Sequence, residues 1–187
     1  MRKNIVTLLF AGCACGVFAY AQSNSDLSSM DRSFVNKAAA GGLAEVQLGQ
    51  LAQQKGSSQA VKDFGQRMVT DHSAANDKLK AIASSKGISL PTSLDAKDQA
   101  LYDKLSGLSG TSFDKAYMQA MVKDHKMDIA EFQKESNAGK DQDIRSFASS
   151  TLPTLQTHLQ LAHQAASKTG ISATAEANHT PESALQK

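Results

Sequence analysis

The chain has 187 residues, a formal charge of +2 and 41% hydrophobic residues, with three prolines, two cysteines and no tryptophan. This composition is typical of one globular domain with terminal extensions, and it excludes a collagen-like chain, a low-complexity chain and a disulfide scaffold. Arg2 and Lys3 account for both excess positive charges, so the rest of the chain is formally neutral. We therefore expect no nucleic-acid partner.

The first 21 residues have the pattern of a secretory signal peptide. Two basic residues precede an apolar run over 5–18, and small residues at Ala19 and Ala21 fit a cleavage site. We predict a signal peptide over 1–21, cleavage before Gln22, and a periplasmic or secreted location. No later run approaches the roughly 20 apolar residues of a membrane span, so we expect no transmembrane span in the mature protein.

A second interpretation of the N-terminus is a lipoprotein signal ending at Cys13, within Phe-Ala-Gly-Cys over 10–13. The mature protein would then be lipid-anchored through Cys13. Under the first interpretation, Cys13 and Cys15 both leave with the signal peptide. Any metal site of the mature protein would then use histidine and carboxylate ligands.

Apolar residues recur at helical spacing in four long blocks that end near glycines. These blocks predict an all-α fold, a four-helix bundle over 31–169 with a short connector helix between the second and third long helices. A polar leader over 22–30 and a tail over 170–187 are expected to be flexible and disordered. The expected helices are 31–55, 58–86, 95–105, 112–137 and 141–168.

Local signals leave two questions open within these helices. Either Asp31 or Ser33 is expected to cap the first helix. Pro153 lies inside the last block, where proline removes a helical hydrogen bond, so we expect a kink there, or alternatively two helices that meet at Pro153.

Each long helix carries one ionisable residue on its apolar face: Glu45, His72, His125 and His158. An uncompensated charge inside a bundle is costly, so these groups are expected to pair, to be hydrated or to bind a metal. Three imidazoles and a carboxylate suit a divalent transition metal such as zinc, copper, nickel or iron. Asp128 and Glu131 are possible extra ligands. The alternative is a purely structural Glu/His layer held by hydrogen bonds.

A short internal sequence repeat supports the hypothesis of a duplicated helix hairpin. The segment 64–72 resembles 117–125, and both end in Asp-His, at Asp71-His72 and Asp124-His125. The shift between the two segments is 53 residues.

With these residues in view, the chain resembles a family of secreted bacterial proteins catalogued as a domain of unknown function and often labelled as outer-membrane proteins. The resemblance rests on Glu45, the two Asp-His pairs, a Gly-Ile-x-Leu-Pro link over 87–91 and Leu-Pro-x-Leu-x-x-His-Leu over 152–159. It implies a ferritin-like fold and no established activity.

Ferritin-like di-iron proteins carry Glu-x-x-His on two helices. Here Val69, Val122 and Leu155 stand three residues before the histidines. A mononuclear, nitrogen-rich site therefore fits the ligands better than a di-iron centre.

Two functional hypotheses follow. The first is an exported ferritin-like bundle that binds a transition metal in its core, in metal handling or envelope stress. The second is a non-catalytic envelope protein with a structural polar layer, which interacts with an envelope protein partner or forms an oligomer. No Gly-rich phosphate loop, nucleophile elbow or His-Glu-x-x-His motif is present in the sequence, so we assign no catalytic residue and do not expect an enzyme.

Overall fold

The computed structural model describes residues 27–170. The signal peptide over 1–21, the cleavage before Gln22, the lipid anchor at Cys13 and the tail after Gly170 lie outside the described residues. The leader over 22–30 is only partly described, and its last two residues already belong to the first helix. The boundary between leader and bundle therefore lies two residues earlier than predicted.

The described residues form five α-helices and no strand. The prediction of an all-α four-helix bundle with a connector helix is confirmed, and most helix ends lie within two residues of the expected positions. The last helix continues through Pro153 as one element, so the alternative of two helices meeting there is wrong. The helices are α1 (Ser29–Lys55), α2 (Gln59–Ser85), α3 (Ala96–Ser106), α4 (Gly110–Ala138) and α5 (Gln142–Lys168).

The cap of α1 differs from the prediction. Ser28 caps the helix, and its hydroxyl oxygen accepts a hydrogen bond from the backbone N–H of Asp31. Asp31 is buried inside the first turn. Its carboxylate makes tertiary contacts that the local sequence does not indicate, so the Ser28 hydroxyl, three residues earlier, supplies the cap.

Two buried aspartates lock the hairpins together at opposite ends. Asp31 of α1 accepts hydrogen bonds from two backbone N–H groups of the α4–α5 turn, at 2.8 and 3.3 Å. Asp114 of α4 accepts three hydrogen bonds from the α1–α2 turn, two from backbone N–H groups and one from the Ser57 hydroxyl. The start of each of these helices therefore meets the end of the other, and α1 and α4 run antiparallel.

The bundle consists of two antiparallel hairpins, α1–α2 and α4–α5. Between the hairpins, α2 packs against α5 and α1 against α4. Because α2 ends far from the point where α4 begins, the connector runs back along the side of the bundle. Its helix α3 packs on α1 and α4 and buries Leu105.

The two hairpins repeat each other with a shift of 83 residues. Helices α2 and α5 have 27 residues each and start at Gln59 and Gln142. The predicted shift of 53 residues relates α2, the second helix of the first hairpin, to α4, the first helix of the second hairpin. It therefore does not describe the repeat of one hairpin in the other. Residues that share a role at the new shift are the glycines Gly56 and Gly139, the N-caps Ser58 and Asp141, and the buried pairs Val61/Ile144 and Phe64/Phe147.

The apolar core is divided into two clusters. One contains Met68 and Tyr117, and the other contains Phe34, Phe132 and Phe147. The predicted Glu/His layer lies between them. Met127 is 40% exposed. Among residues 27–170, no helix has both the length and the hydropathy that crossing a bilayer requires.

Candidate metal centre

Three helices bring a histidine to the middle of the bundle: His72 on α2, His125 on α4 and His158 on α5. Their exposed fractions are 7%, 0% and 1%. The ring centroids lie 5.3 to 5.8 Å apart. One ring nitrogen of each residue lies within 4.8 Å of those of the other two. The structure therefore brings together three of the six residues predicted for a metal site.

The backbone of α4 sets the tautomer of His125. Its Nδ1 lies 2.9 Å from the carbonyl oxygen of Met121, one turn earlier. Because a carbonyl oxygen only accepts, Nδ1 carries the proton of the neutral imidazole. The other nitrogen, Nε2, then holds a lone pair, and it is buried without a hydrogen-bond partner among the described residues.

A carboxylate sets the tautomer of His158. Its Nε2 lies 2.8 Å from Oδ2 of Asp71, so this nitrogen is the donor. The lone pair of His158 is therefore on Nδ1, which is buried and has no partner in the described part of the chain. Asp71 also pairs with Arg67 on its own helix. Such carboxylate–histidine contacts orient the imidazoles of many metal sites.

The third histidine of the cluster also has a buried ring nitrogen without a hydrogen-bond partner in the described structure. His72 Nε2 is buried and, within residues 27–170, has no hydrogen-bond partner. Each of the three clustered rings thus has one buried nitrogen that no group of residues 27–170 satisfies. Leaving a buried polar atom unpaired costs about 1–3 kcal/mol. Because three unpaired nitrogen atoms lie at one place, we expect a ligand to bind there.

All three imidazoles are held in the neutral form. Burial lowers the pKa of His72 to about 3 and the pKa of His125 to about 4, and the neighbouring histidines add to both shifts. The pKa of His158 is lowered by burial as well, against the opposing effect of Asp71. Neutral imidazole is the form that binds a metal ion, so these side chains are ready to coordinate at neutral pH.

The spacing fits a metal after a small contraction. The centre of an equilateral triangle with sides of 4.8 Å lies about 2.8 Å from each corner, against about 2.0–2.1 Å for a zinc–nitrogen bond. Each nitrogen would have to move inward by about 0.7 Å to reach that bond length. Small side-chain torsions within a rotamer well supply such a shift.

Glu45 of α1 is fully buried but lies on the other side of His125. Its Oε1 is 3.7 Å from His125 Nδ1, the nitrogen that already donates to Met121. Burial raises the pKa of the Glu45 carboxyl well above its usual range, and the nearby charges of Asp124 and Asp128 raise it further. The raised pKa favours the protonated form of this carboxyl group, which lies beside His125 and outside the trio of clustered nitrogens.

The two possible extra ligands lie elsewhere. Asp128 is partly buried and lines a cavity of about 20 Å³ beside His72, large enough for one water molecule. Burial raises the pKa of Asp128 to about 8, and the charge of Asp124 adds to this shift. Glu131 is 42% exposed and pairs with Lys37 at 3.1 Å on the surface.

A groove between α2 and α5 leads from the surface to the histidines. It encloses about 240 Å³, and His72 and His158 form part of its lining. Arg67, Lys78 and Thr154 also line it. The groove therefore extends from the surface to two of the three histidines.

Sequence reasoning missed the role of Asp71. The signal was present in the pattern, because an aspartate directly precedes each of two inward histidines. Neighbouring residues on a helix do not face each other, so Asp71 could not serve His72. It serves His158 of the adjacent helix instead, which only the packing of α2 on α5 reveals.

The fold and the site define a class of protein: a helical bundle of two hairpins with an interior cluster of three neutral histidines. The chain belongs to the family described as domain of unknown function DUF4142, whose model matches residues 18–165. This confirms the resemblance to a domain of unknown function. No curated protein matches the chain. A solved structure of a DUF305 fragment from Deinococcus radiodurans is similar, with a TM-score of 0.67 and 11% identity over 76% of this chain and 98% of that chain. At that identity the likeness shows a common fold alone.

Proposed function

We propose that this protein binds one divalent transition metal ion through His72, His125 and His158. The observation that carries the proposal is the set of three buried nitrogen atoms without partners, one on each clustered ring. Hydrogen bonds from His125 to Met121 and from His158 to Asp71 orient two of the rings so that their lone pairs remain free. Asp71 is a positioning residue, since it acts through His158.

The ligand chemistry favours zinc, copper or nickel over iron. Neutral imidazole suits all of these metals, but non-haem iron sites normally add a carboxylate. Glu45 and Asp128 have pKa values raised by burial, which favours their neutral forms. A site of three histidines leaves one coordination position for a small exogenous ligand, as in catalytic and transport sites of zinc.

We further propose that the bundle is exported and handles metal in the periplasm or outside the cell. The support is the signal-peptide pattern over 1–21 and the absence of cysteine from residues 22–187, which leaves histidine and carboxylate side chains as metal ligands. A ferritin-like origin is supported by the single long crossover between two hairpins, a topology that ferritin-like bundles share. Among residues 27–170, one fully buried carboxyl group, that of Glu45, lies beside the histidines, whereas the di-iron members carry four carboxylates at the metal site.

A purely structural polar layer would leave the three nitrogens unpaired, which makes it the weaker hypothesis. The two hypotheses differ in one measurable quantity, the affinity of the mature protein for metal. Isothermal titration with zinc, copper and nickel, and elemental analysis of the purified protein, should give one ion per chain. Chelation should lower the melting temperature, because an ion at 100 times its Kd stabilises the native state by about 2.7 kcal/mol.

Single substitutions identify the ligands. His72→Ala, His125→Ala and His158→Ala should each abolish tight binding while the far-ultraviolet circular dichroism stays helical. Asp71→Asn should weaken binding by about 10- to 100-fold, because it removes the carboxylate that orients His158. The matched control is His163→Ala, an exposed histidine on α5 five residues after His158. Binding that survives all three ligand substitutions, or that is lost in His163→Ala, would contradict the proposal.

A further inference from the structure

The groove between α2 and α5 carries more positive than negative charge. Its lining includes Arg67, Lys78 and one carboxylate, that of Asp71. Asp71 is already engaged by Arg67 and by the Nε2 of His158. Lys78 is exposed and has no ion-pair partner among residues 27–170. The groove therefore offers one uncompensated ammonium group on the path to the histidines.

The groove also offers a free hydrogen-bond donor. The hydroxyl of Thr154 lines the groove and has no hydrogen-bond partner in the described part of the chain. The neighbouring Thr151 differs, because its hydroxyl donates to the carbonyl oxygen of Phe147 at 2.8 Å. Thr154 stands one turn before His158 on α5, so its hydroxyl lies beside the approach to that ring.

The charge of the metal site also favours an anionic ligand. Three neutral imidazoles around a divalent ion leave two positive charges in the interior of the bundle, where such charge is costly. Within residues 27–170, no carboxylate shares the ligand cluster. The Asp71 carboxylate offsets part of this charge through His158. An anion that enters through the groove would offset more of it and fill the fourth coordination position.

We infer that the exogenous ligand of the metal is a small anion, which enters between α2 and α5 and is held by Lys78 and Thr154 while it occupies the fourth coordination position. This inference rests on the metal site proposed above. The volume of about 240 Å³ admits an inorganic oxyanion or a short carboxylate together with water, since a water molecule occupies about 30 Å³.

The test uses the mature protein loaded with Co²⁺, whose visible absorption bands report the coordination of the metal, and azide as the anionic probe. Azide should change these bands in a saturable way. Lys78→Ala and Thr154→Val should each raise the Kd for azide by about three- to tenfold without changing the bands of the azide-free protein. Raising the ionic strength should weaken azide binding to the wild type more than to Lys78→Ala. The matched control is Lys80→Ala, an exposed lysine on the same helix that lines a different surface groove, and it should leave the azide Kd unchanged.

The outcomes separate this inference from the metal site. If the protein takes up no Co²⁺, the proposed metal site itself fails. If it binds Co²⁺ but azide leaves the bands unaltered, the metal site stands and the anion inference is wrong. Equal azide affinity in Lys78→Ala, Lys80→Ala and the wild type would also overturn the anion inference. So would a protein that binds neutral imidazole more tightly than azide and whose azide affinity does not respond to ionic strength.

Discussion

Glu135 and Asp31 place two carboxyl groups side by side at the end of the bundle that holds the α4–α5 turn. Hydrogen bonds from Ser28 and from the backbone of the turn lower the pKa of Asp31, against the opposing effect of its burial. Burial raises the pKa of Glu135 to about 7, and the contact with Asp31 adds to this shift. The charge of Asp141 raises it as well, while Arg145 works in the other direction. Of the two carboxyl groups, Glu135 is therefore the one that keeps its proton up to about pH 7.

This pair predicts a loss of stability as pH rises. The unfolded Glu135 loses its proton near its ordinary pKa of 4.5, whereas the folded protein keeps the proton up to about pH 7. The unfolded state thus binds fewer protons across this range, so this group lowers the free energy of unfolding between about pH 4.5 and 7. Glu135→Gln should flatten this part of the pH profile and make the metal-free protein more stable at pH 8. Urea unfolding at several pH values measures both effects.

The matched control for Glu135 is Glu131→Gln, one turn earlier on the same helix. Glu131 is exposed and makes a surface ion pair with Lys37, so its loss should change stability by less than about 1 kcal/mol. A Glu135→Gln variant with the same pH profile as the wild type would show that the two carboxyl groups are not coupled to folding.

The individual histidines were predictable from sequence, but their hydrogen bonds were not. Helical periodicity places His72, His125 and His158 on inward faces, because the period of 3.6 residues determines the face. It does not determine how far each helix is shifted along its neighbour. The contact between Asp71 and His158 depends on that shift, and so does the placement of Glu45 behind His125.

At the scale of elements, α1 and α2 are in close backbone contact at a pair of glycines, Gly49 and Gly65. A Cβ atom added to Gly49 would lie 2.7 Å from the carbonyl oxygen of Gly65, and one added to Gly65 would lie 2.7 Å from the carbonyl oxygen of Gly49. Backbone atoms cannot move aside as a flexible side chain can. The first hairpin therefore requires small residues at this crossing.

Gly49→Ala should destabilise the protein by about 1–3 kcal/mol, because the methyl group forces the two helices apart. Gly41→Ala, eight residues earlier in α1, is the matched control. Its Cβ would have no atom within 4 Å, and alanine is the better helix former, so this change should stabilise the protein by about 0.5–1 kcal/mol. Chemical unfolding of both variants measures the difference. A Gly49→Ala variant as stable as Gly41→Ala would mean that the helices are not in contact at this point.

Helix ends were largely predictable because glycines and capping residues mark them locally. Gly56 and Gly139 directly follow α1 and α4, in agreement with the blocks that end near glycines, and Asp141, expected as the first residue of the last helix, is its N-cap. The predicted start of α1 was wrong because the Asp31 carboxylate accepts a hydrogen bond from the α4–α5 turn and does not cap the helix. The course of the connector was also open, since a chain segment of this length fits either along the bundle or across its end.

At the scale of the whole molecule, the metal site would join the two hairpins. His72 belongs to the first hairpin, whereas His125 and His158 belong to the second. The hairpins are also linked by the Asp31 and Asp114 clamps at the two ends, by the Asp71–His158 hydrogen bond, by surface ion pairs such as Lys37–Glu131, and by apolar packing. A bound ion would add a coordination link at mid-height, and unfolding of either hairpin would release it.

The metal should therefore stabilise both hairpins equally, which native-state hydrogen exchange can measure. Amides that exchange only through global unfolding report the total free energy of unfolding. At a free metal concentration of 100 times the Kd, their exchange should slow by about 100-fold in α1, α2, α4 and α5 alike. Amides of α3, which buries a single residue, are expected to exchange by local opening and to change little. His72→Ala should abolish the effect of the metal on amide exchange in all four long helices, although the substitution lies in α2 alone. If metal slows exchange in α4 and α5 only, the ion is held by the second hairpin alone, and the joint site of three histidines is wrong.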